Sequence, residues 1–173
     1  MPGCCLLLIV LAVPEQDAMD LAARIVARAE AKLGERVGDG SCSGLVSEAL
    51  REAGARLGAG DSDQPWGRAV DPSEQLRPGD VLVFRDAAFV HRERQRNGAV
   101  RTTTARMERH VALVSAVDRQ AGAMRITLLH QNAGRPGAND DRRQVVQRWV
   151  IDPSEMTEGT VTAYRPLPGD STQ

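Results

Sequence analysis

The sequence predicts an α+β fold in which two N-terminal helices precede an antiparallel sheet. Apolar residues recur at steps of three and four over residues 17–33 and again over residues 42–53, which is the period of amphipathic helices. After residue 80, β-branched runs alternate with turn-rich segments, which is typical of strands. Helices followed by strands favour α+β over an alternating α/β architecture.

Composition limits the classes of function. The chain has 173 residues, 42% of them hydrophobic, and a net charge of -1, which fits one domain with a substantial core and gives no basic footprint for nucleic acid. No phosphate loop or dinucleotide fingerprint is present, and the three histidines and three cysteines lack metal-ligand spacing. We therefore expect no metal and no cofactor.

The first sixteen residues form an apolar leader. The run of about ten residues from Cys4 to Val13 is too short to span a bilayer and has the length of a signal-peptide core, although no basic residue precedes it. Two interpretations stay open: a cleaved leader of a secreted or periplasmic protein, or a packing strand or misassigned start in a cytoplasmic one. The domain is predicted over residues 17–166, followed by a loose tail, 167–173.

Turn signals separate the remaining elements. Gly34 and Gly54 end the two helices, and Asp39 or Ser41 can cap the second one. The Pro78-Gly79 pair predicts a type II turn before a strand at residues 81–84. A loop carrying Trp66 and a long polar loop at residues 85–109, with seven arginines and His91, are predicted around it. Four further strands are predicted at residues 110–117, 125–131, 143–151 and 159–165.

Cys42 is the only cysteine outside the leader, and it opens the second helix. Unpaired N–H groups in the first turn of a helix favour a thiolate, which is the nucleophilic form. A disulfide framework is excluded by the count. The alternative interpretation is a small buried apolar residue with no chemistry.

Two strand histidines are candidate partners of the thiol. His110 shares a strand face with Ala112 and Val114, and His130 shares one with Leu128 and Asn132. Pairing these strands as a hairpin places His110 opposite His130 or Asn132. A cysteine nucleophile needs a base and that base needs an orienting acceptor, so His110 is the predicted base and His130 or Asn132 the predicted orienting group. The alternative is a pair of hydrogen-bonded sheet residues without a catalytic role.

Three motifs in order carry a family resemblance. Cys42-Ser43-Gly44-Leu45-Val46 resembles the nucleophile helix of NlpC-type cell-wall peptidases, and residues 76–84 and 109–114 resemble their Pro-Gly-Asp strand and His-Val strand. The segment around His130 and Asn132 is similar to CHAP amidases. Val37-Gly38-Asp39-Gly40 and the final strand resemble more closely the cysteine-peptidase-like domain of some fungal actin-patch proteins.

The resemblance implies a papain-like fold, with the N-terminal helices packed on a five-stranded antiparallel sheet or half-barrel. It also implies a cysteine peptidase or amidase that cleaves a peptide or related amide through a thioester, with peptidoglycan stem peptides as the leading substrate. Catalytic residues would be Cys42, His110, His130 and Asn132. We expect no nucleic-acid partner and no stable membrane insertion, and leave the oligomeric state open.

The motifs also depart from the family pattern. Ser41 stands where NlpC-type enzymes usually have aspartate, and no aromatic residue lies between residues 17 and 42 to help to stabilise an oxyanion. A non-catalytic binding or scaffolding domain on the same fold is therefore the second hypothesis.

Overall fold

The computed structural model describes residues 15–58, 66–72, 74–120, 122–132 and 143–169. Most of the predicted leader and residues 170–173 of the predicted tail lie outside this part of the chain. Neither α-helix of the described residues is long and apolar enough to span a membrane. The elements in chain order are α1 (Glu15–Glu30), α2 (Cys42–Glu52), β1 (Ala55–Arg56), β2 (Arg68–Ala69), β3 (Val81–Arg94), β4 (Val100–Gln120), β5 (Ala123–His130), β6 (Gln147–Ile151), a 3-10 turn (Pro153–Glu155), β7 (Met156–Arg165) and β8 (Leu167–Pro168).

The main sheet has the strand order β2-β7-β3-β4-β5-β6, with every neighbouring pair antiparallel. The predicted combination of N-terminal helices and an antiparallel sheet is thus confirmed. The described sheet has six strands where five were predicted, because the two-residue strand β2 adds to the edge of β7. β1 and β8 form a separate two-stranded ladder.

Several predicted boundaries are wrong. The polar segment 85–109 is not a long loop, since β3 continues to Arg94 and β4 begins at Val100. The strand predicted from residue 143 begins at Gln147. Leu167 and Pro168, at the start of the predicted loose tail, pair with Arg56 and Ala55.

One face of the sheet is covered by both helices. Their apolar stripes pack there because residues at steps of three and four lie on one side of a helix. We call this core the helix-side cluster. It comprises Leu21, Ile25, Ala29, Val37, Leu45, Val46, Ala49, Leu50, Ala53, Val81, Val111, Leu113, Leu129 and Val146.

The opposite face holds a second core, which we call the inner cluster. It comprises Leu82, Phe84, Ala87, Phe89, Met107, Ala112, Val114, Ile126, Leu128 and Ile151. On β3, Leu82 and Phe84 of this cluster are two residues apart, as on one face of a strand, but Phe84 and Ala87 are three residues apart. The strand therefore exchanges faces between Phe84 and Ala87. On β4 the exchange falls between Met107 and Ala112.

A bend in the sheet accounts for this exchange. Asp86 has a φ of 51°, a conformation that is uncommon for residues other than glycine. Gly159 of β7 packs on the backbone of Asp86 with a φ of 82°. The distal halves of β3 and β4 therefore curl over the inner cluster, where Phe89 meets Trp149 of β6 with ring centroids 5.7 Å apart.

A buried ion pair ties the start of β3 to the end of β7. Arg165 donates from Nε and Nη2 to the two carboxylate oxygens of Asp80, both at 2.9 Å. Its Nη1 donates to Glu74, which also accepts two hydrogen bonds from Arg68. Asp80 is the last residue of the Pro-Gly-Asp turn, and Gly79 has the positive φ of 88° that the predicted type II turn requires.

Candidate functional site around Cys42 and the histidine pair

Helix α2 begins at Cys42, as predicted. Ser41 is the N-cap and its Oγ accepts a hydrogen bond from the Gly44 N–H at 3.1 Å. Asp39 accepts hydrogen bonds from the hydroxyl and the N–H of Ser41 at 2.6 and 2.9 Å, and these bonds lower the pKa of its carboxyl group. The cap thus fixes the loop that presents the thiol.

Gln131 anchors the same loop from the sheet. Its Nε2 donates to the carbonyl oxygens of Val37 and Ser41 at 2.9 and 2.6 Å, and its Oε1 accepts from the Val37 N–H at 3.2 Å. The side chain is fully buried. Gln131 was missed by the sequence reasoning, although its position between His130 and Asn132 places it on the opposite face from both.

His110 and His130 meet on the inner face of the sheet. Their ring centroids are 5.3 Å apart and the rings are nearly perpendicular, at 80°. His110 pairs directly with Phe84 in the β3–β4 register, and His130 packs on Trp149. Of the two residues predicted to lie opposite His110, His130 is the one whose ring lies against it.

Burial controls the charge of both rings. His110 is 5% exposed and His130 is 6% exposed. Burial lowers the pKa of His110 to about 3, with a further contribution from His130, and burial lowers the pKa of His130 to about 4. His110 Nε2 and His130 Nδ1 are buried with no hydrogen-bond partner among the described residues. The two imidazoles are therefore neutral at neutral pH.

The thiol lies on the other side of the sheet. Cys42 is partly buried and packs against the helix-side cluster, to which Val111 of β4 contributes. His110 adjoins Val111 and so points to the opposite face, together with Ala112. Along β4, the neighbours of Val111 on the helix side are the exposed Arg109 and the buried Leu113, and neither a guanidinium nor an apolar side chain can accept a proton.

Asn132 lies just beyond the end of β5. It is exposed, its φ is 59°, and its backbone N–H donates to the carbonyl oxygen of Arg143 at 2.6 Å. The structure thus brings His110 to His130, places Cys42 on the far side of the sheet from both, and leaves Asn132 just beyond the end of β5.

The comparisons with known proteins give one match. The model of a family described as the AIM3/BBC1 cysteine proteinase-fold domain matches residues 15–172. The chain belongs to this family. No curated protein and no solved structure matches the chain.

Membership in the AIM3/BBC1 family establishes the cysteine proteinase fold for nearly the whole chain. It agrees with the predicted papain-like class and with the predicted likeness to domains of fungal actin-patch proteins. The family description names a fold and no reaction, so the roles of Cys42, His110, His130 and Asn132 stay predictions. No cluster of three or more metal-ligating side chains occurs among the residues described.

Proposed function

We propose that this chain is a non-catalytic binding or scaffolding domain built on the cysteine proteinase fold. The observation that carries the proposal is the location of Cys42 on the helix side of the sheet, with His110 and His130 on the inner side. A cysteine nucleophile needs a base within hydrogen-bond reach, about 3 Å, and the sheet separates these groups.

The state of the histidines supports the same function. An efficient general base has a pKa near the working pH, and burial lowers the pKa of His110 to about 3. The rings instead pack as members of an aromatic core with Phe84 and Trp149. Resemblance to a domain that fungal actin-patch proteins carry beside interaction modules is a further, associational support.

Thiol reactivity tests the proposal. We would measure the rate of Cys42 alkylation by iodoacetamide across pH in a Cys4→Ser/Cys5→Ser background, with and without His110→Ala. A thiol that has no base partner should react at the same rate, within about twofold, in both proteins. An enhanced rate near neutral pH that drops tenfold in His110→Ala would contradict the proposal, because it would reveal a working dyad.

A cysteine amidohydrolase or peptidase is the second candidate, and the position of Cys42 at the start of α2 favours it. Cys42 would attack the carbonyl carbon while His110 accepts its proton and returns it to the leaving amine as the C–N bond breaks, and water would then hydrolyse the thioester. His130 with Asn132 would orient His110. This mechanism requires β4 to rearrange so that His110 reaches the helix side.

The substrate class proposed for this second candidate is a peptide or related amide, with peptidoglycan stem peptides first. Digestion of muropeptides by the wild type and not by Cys42→Ala would establish it. Equal product from both proteins, or none, would exclude this substrate.

A further inference from the structure

The curled half of the sheet forms an arm, residues 87–94 of β3 and 100–107 of β4, which β7 joins only at its base, opposite Ala88 and Phe89. A cleft of about 490 Å³ opens between the arm and β6. Phe89 and Trp149 pack edge to face along it, and Ala105, Val150 and Ile151 complete the apolar lining. The cleft has the volume of a typical ligand site, and the other five of its ten lining residues are polar or charged.

Basic and acidic side chains lie close together at the rim of the cleft. His91 Nδ1 lies 2.6 Å from Oε1 of Glu155. Asp152 accepts hydrogen bonds from the N–H and hydroxyl of Ser154, and Arg125 lines the same cleft. Because each carboxylate already has a partner or a nearby cation, the cleft suits an apolar group better than a charged one.

Along the arm, no strand of the described residues pairs with the outer edge of β4. Over residues 100–109 the described pairing of β4 is with β3, and its pairing with β5 begins at Leu113. Most of these residues are exposed. A long exposed edge presents unpaired N–H and C=O groups in the geometry that an added strand needs.

The two faces of the arm differ in charge. On the cleft face, Glu93 lies directly opposite Arg101, so that this cross-strand pair is neutral. The other face of the arm, which we call the outer face, carries Arg92 and Arg94 opposite Thr102 and Val100. Of the arginines on this face, Arg106 is held by Glu158 at 2.8 Å. The outer face therefore has uncompensated positive charge at Arg92 and Arg94 among the described side chains.

We propose that residues 100–107 of β4 accept, as an added strand, an extended peptide in which apolar and acidic residues alternate. Side chains alternate between faces in a strand, so one set enters the cleft beside Phe89 and Trp149. The acidic set then lies on the outer face, where Arg92 and Arg94 reach across the small Thr102. This site rests on the proposed binding function and names its partner class.

Charge complementarity selects this partner over a second copy of the chain. Pairing two arms edge to edge would leave Arg92 and Arg94 of both copies without an acidic partner, because the facing β4 strands carry Thr102 and Val100 at these positions. An acidic peptide supplies that partner.

Fluorescence anisotropy with the full chain tests the site. The probe is a fluorescein-labelled peptide of four Leu-Glu repeats, compared with four Leu-Lys repeats and four Ser-Glu repeats. We expect the Leu-Glu peptide to bind at least tenfold more tightly than either of the others, and to weaken as salt is added. Equal binding of the Ser-Glu or Leu-Lys peptide, or no binding of any peptide, would overturn the proposal.

Two variants locate the site. Arg92→Glu/Arg94→Glu should weaken binding of the Leu-Glu peptide at least tenfold, and Ala105→Trp should do the same by filling the cleft. Arg28→Glu/Arg51→Glu makes the same charge change on exposed helix positions and should leave binding within twofold of the wild type. Thermal melts of all proteins would confirm folding. Wild-type binding by both arm variants would contradict the assignment.

Sedimentation velocity tests whether this edge instead pairs with a second copy of the chain. A dimer that Arg92→Glu/Arg94→Glu alters would assign the edge to a second copy and overturn the peptide site. If no peptide binds and the rate of Cys42 alkylation does not depend on His110, the proposed peptide site is wrong. The proposed non-catalytic binding function is then not contradicted. An enhanced alkylation rate that depends on His110 would contradict the proposed non-catalytic function itself.

Discussion

Gln131 forms two hydrogen bonds with the backbone of Val37. Its Nε2 donates to the Val37 carbonyl oxygen at 2.9 Å, and its Oε1 accepts from the Val37 N–H at 3.2 Å. A third hydrogen bond, to the Ser41 carbonyl oxygen, extends this contact to the N-cap of α2. The loop before Cys42 therefore depends on one buried side chain of the sheet.

Replacement of Gln131 by leucine should destabilise the protein by about 3 kcal/mol, because the buried N–H of Val37 would be left without a partner and two further hydrogen bonds, to the carbonyl oxygens of Val37 and Ser41, would be lost. Urea denaturation followed by circular dichroism measures the loss. The matched control is Gln120→Leu at an exposed position, which should change stability by less than about 0.5 kcal/mol. Equal effects of the two substitutions would show that the bonds to the loop contribute little.

Removal of Arg165 should cost more than removal of a surface arginine. Arg165→Met leaves the carboxylate of Asp80 buried, at 1% exposure, without its bidentate partner, and we expect a loss of roughly 3–5 kcal/mol. Arg106→Met breaks the pair with Glu158, whose side chains are 54% and 56% exposed, and should cost at most about 1 kcal/mol. The midpoints of urea denaturation, compared at a constant m-value, measure the loss of stability in the two variants. A loss below about 1 kcal/mol in Arg165→Met would contradict a structural role for the buried pair.

The histidine pair should make the fold sensitive to acid. The pKa values of about 3 and about 4 in the folded state lie below the ordinary value of 6.5, so the unfolded chain binds more protons between about pH 4 and pH 6.5. The free energy of unfolding should therefore fall as pH falls through this window, by about 1.4 kcal/mol for each unit of difference in pKa.

Single His110→Leu and His130→Leu variants should each flatten this dependence, measured by urea denaturation at a series of pH values. His91→Gln, at an exposed position on β3, should retain it. An unchanged slope in both leucine variants would mean that the buried imidazoles do not govern the acid response.

Gly159 should be the glycine least tolerant of a side chain at the bend. Its φ is 82° and an added Cβ would overlap the backbone of Asp86, so we expect Gly159→Ala to cost roughly 3 kcal/mol or more. Gly122 has a φ of 84° with nothing within 4 Å, and Gly122→Ala should cost only the conformational penalty of about 1 kcal/mol. Melting temperatures of the two variants measure the difference. Similar losses in the two would indicate that the contact at the bend relaxes easily.

Local patterns were sufficient for much of this fold. Helical periodicity placed α2 to within a residue of its ends, and the Pro78-Gly79 signal located the turn before β3. The segment 85–109 was misjudged because its strands are exposed and rich in arginine. An arm with few buried side chains has no alternation of apolar and polar residues to mark it.

The sequence by itself determined the helix that begins at Cys42, the antiparallel strands after it, and the position of His110 opposite either His130 or Asn132. Only the tertiary structure decided which face of β4 the helices cover. Residues 110–114 are apolar on both faces apart from His110, so either face could be buried against α2 and periodicity cannot distinguish them. Packing of Val111 and Leu113 under the helices placed the histidines on the far side from the thiol.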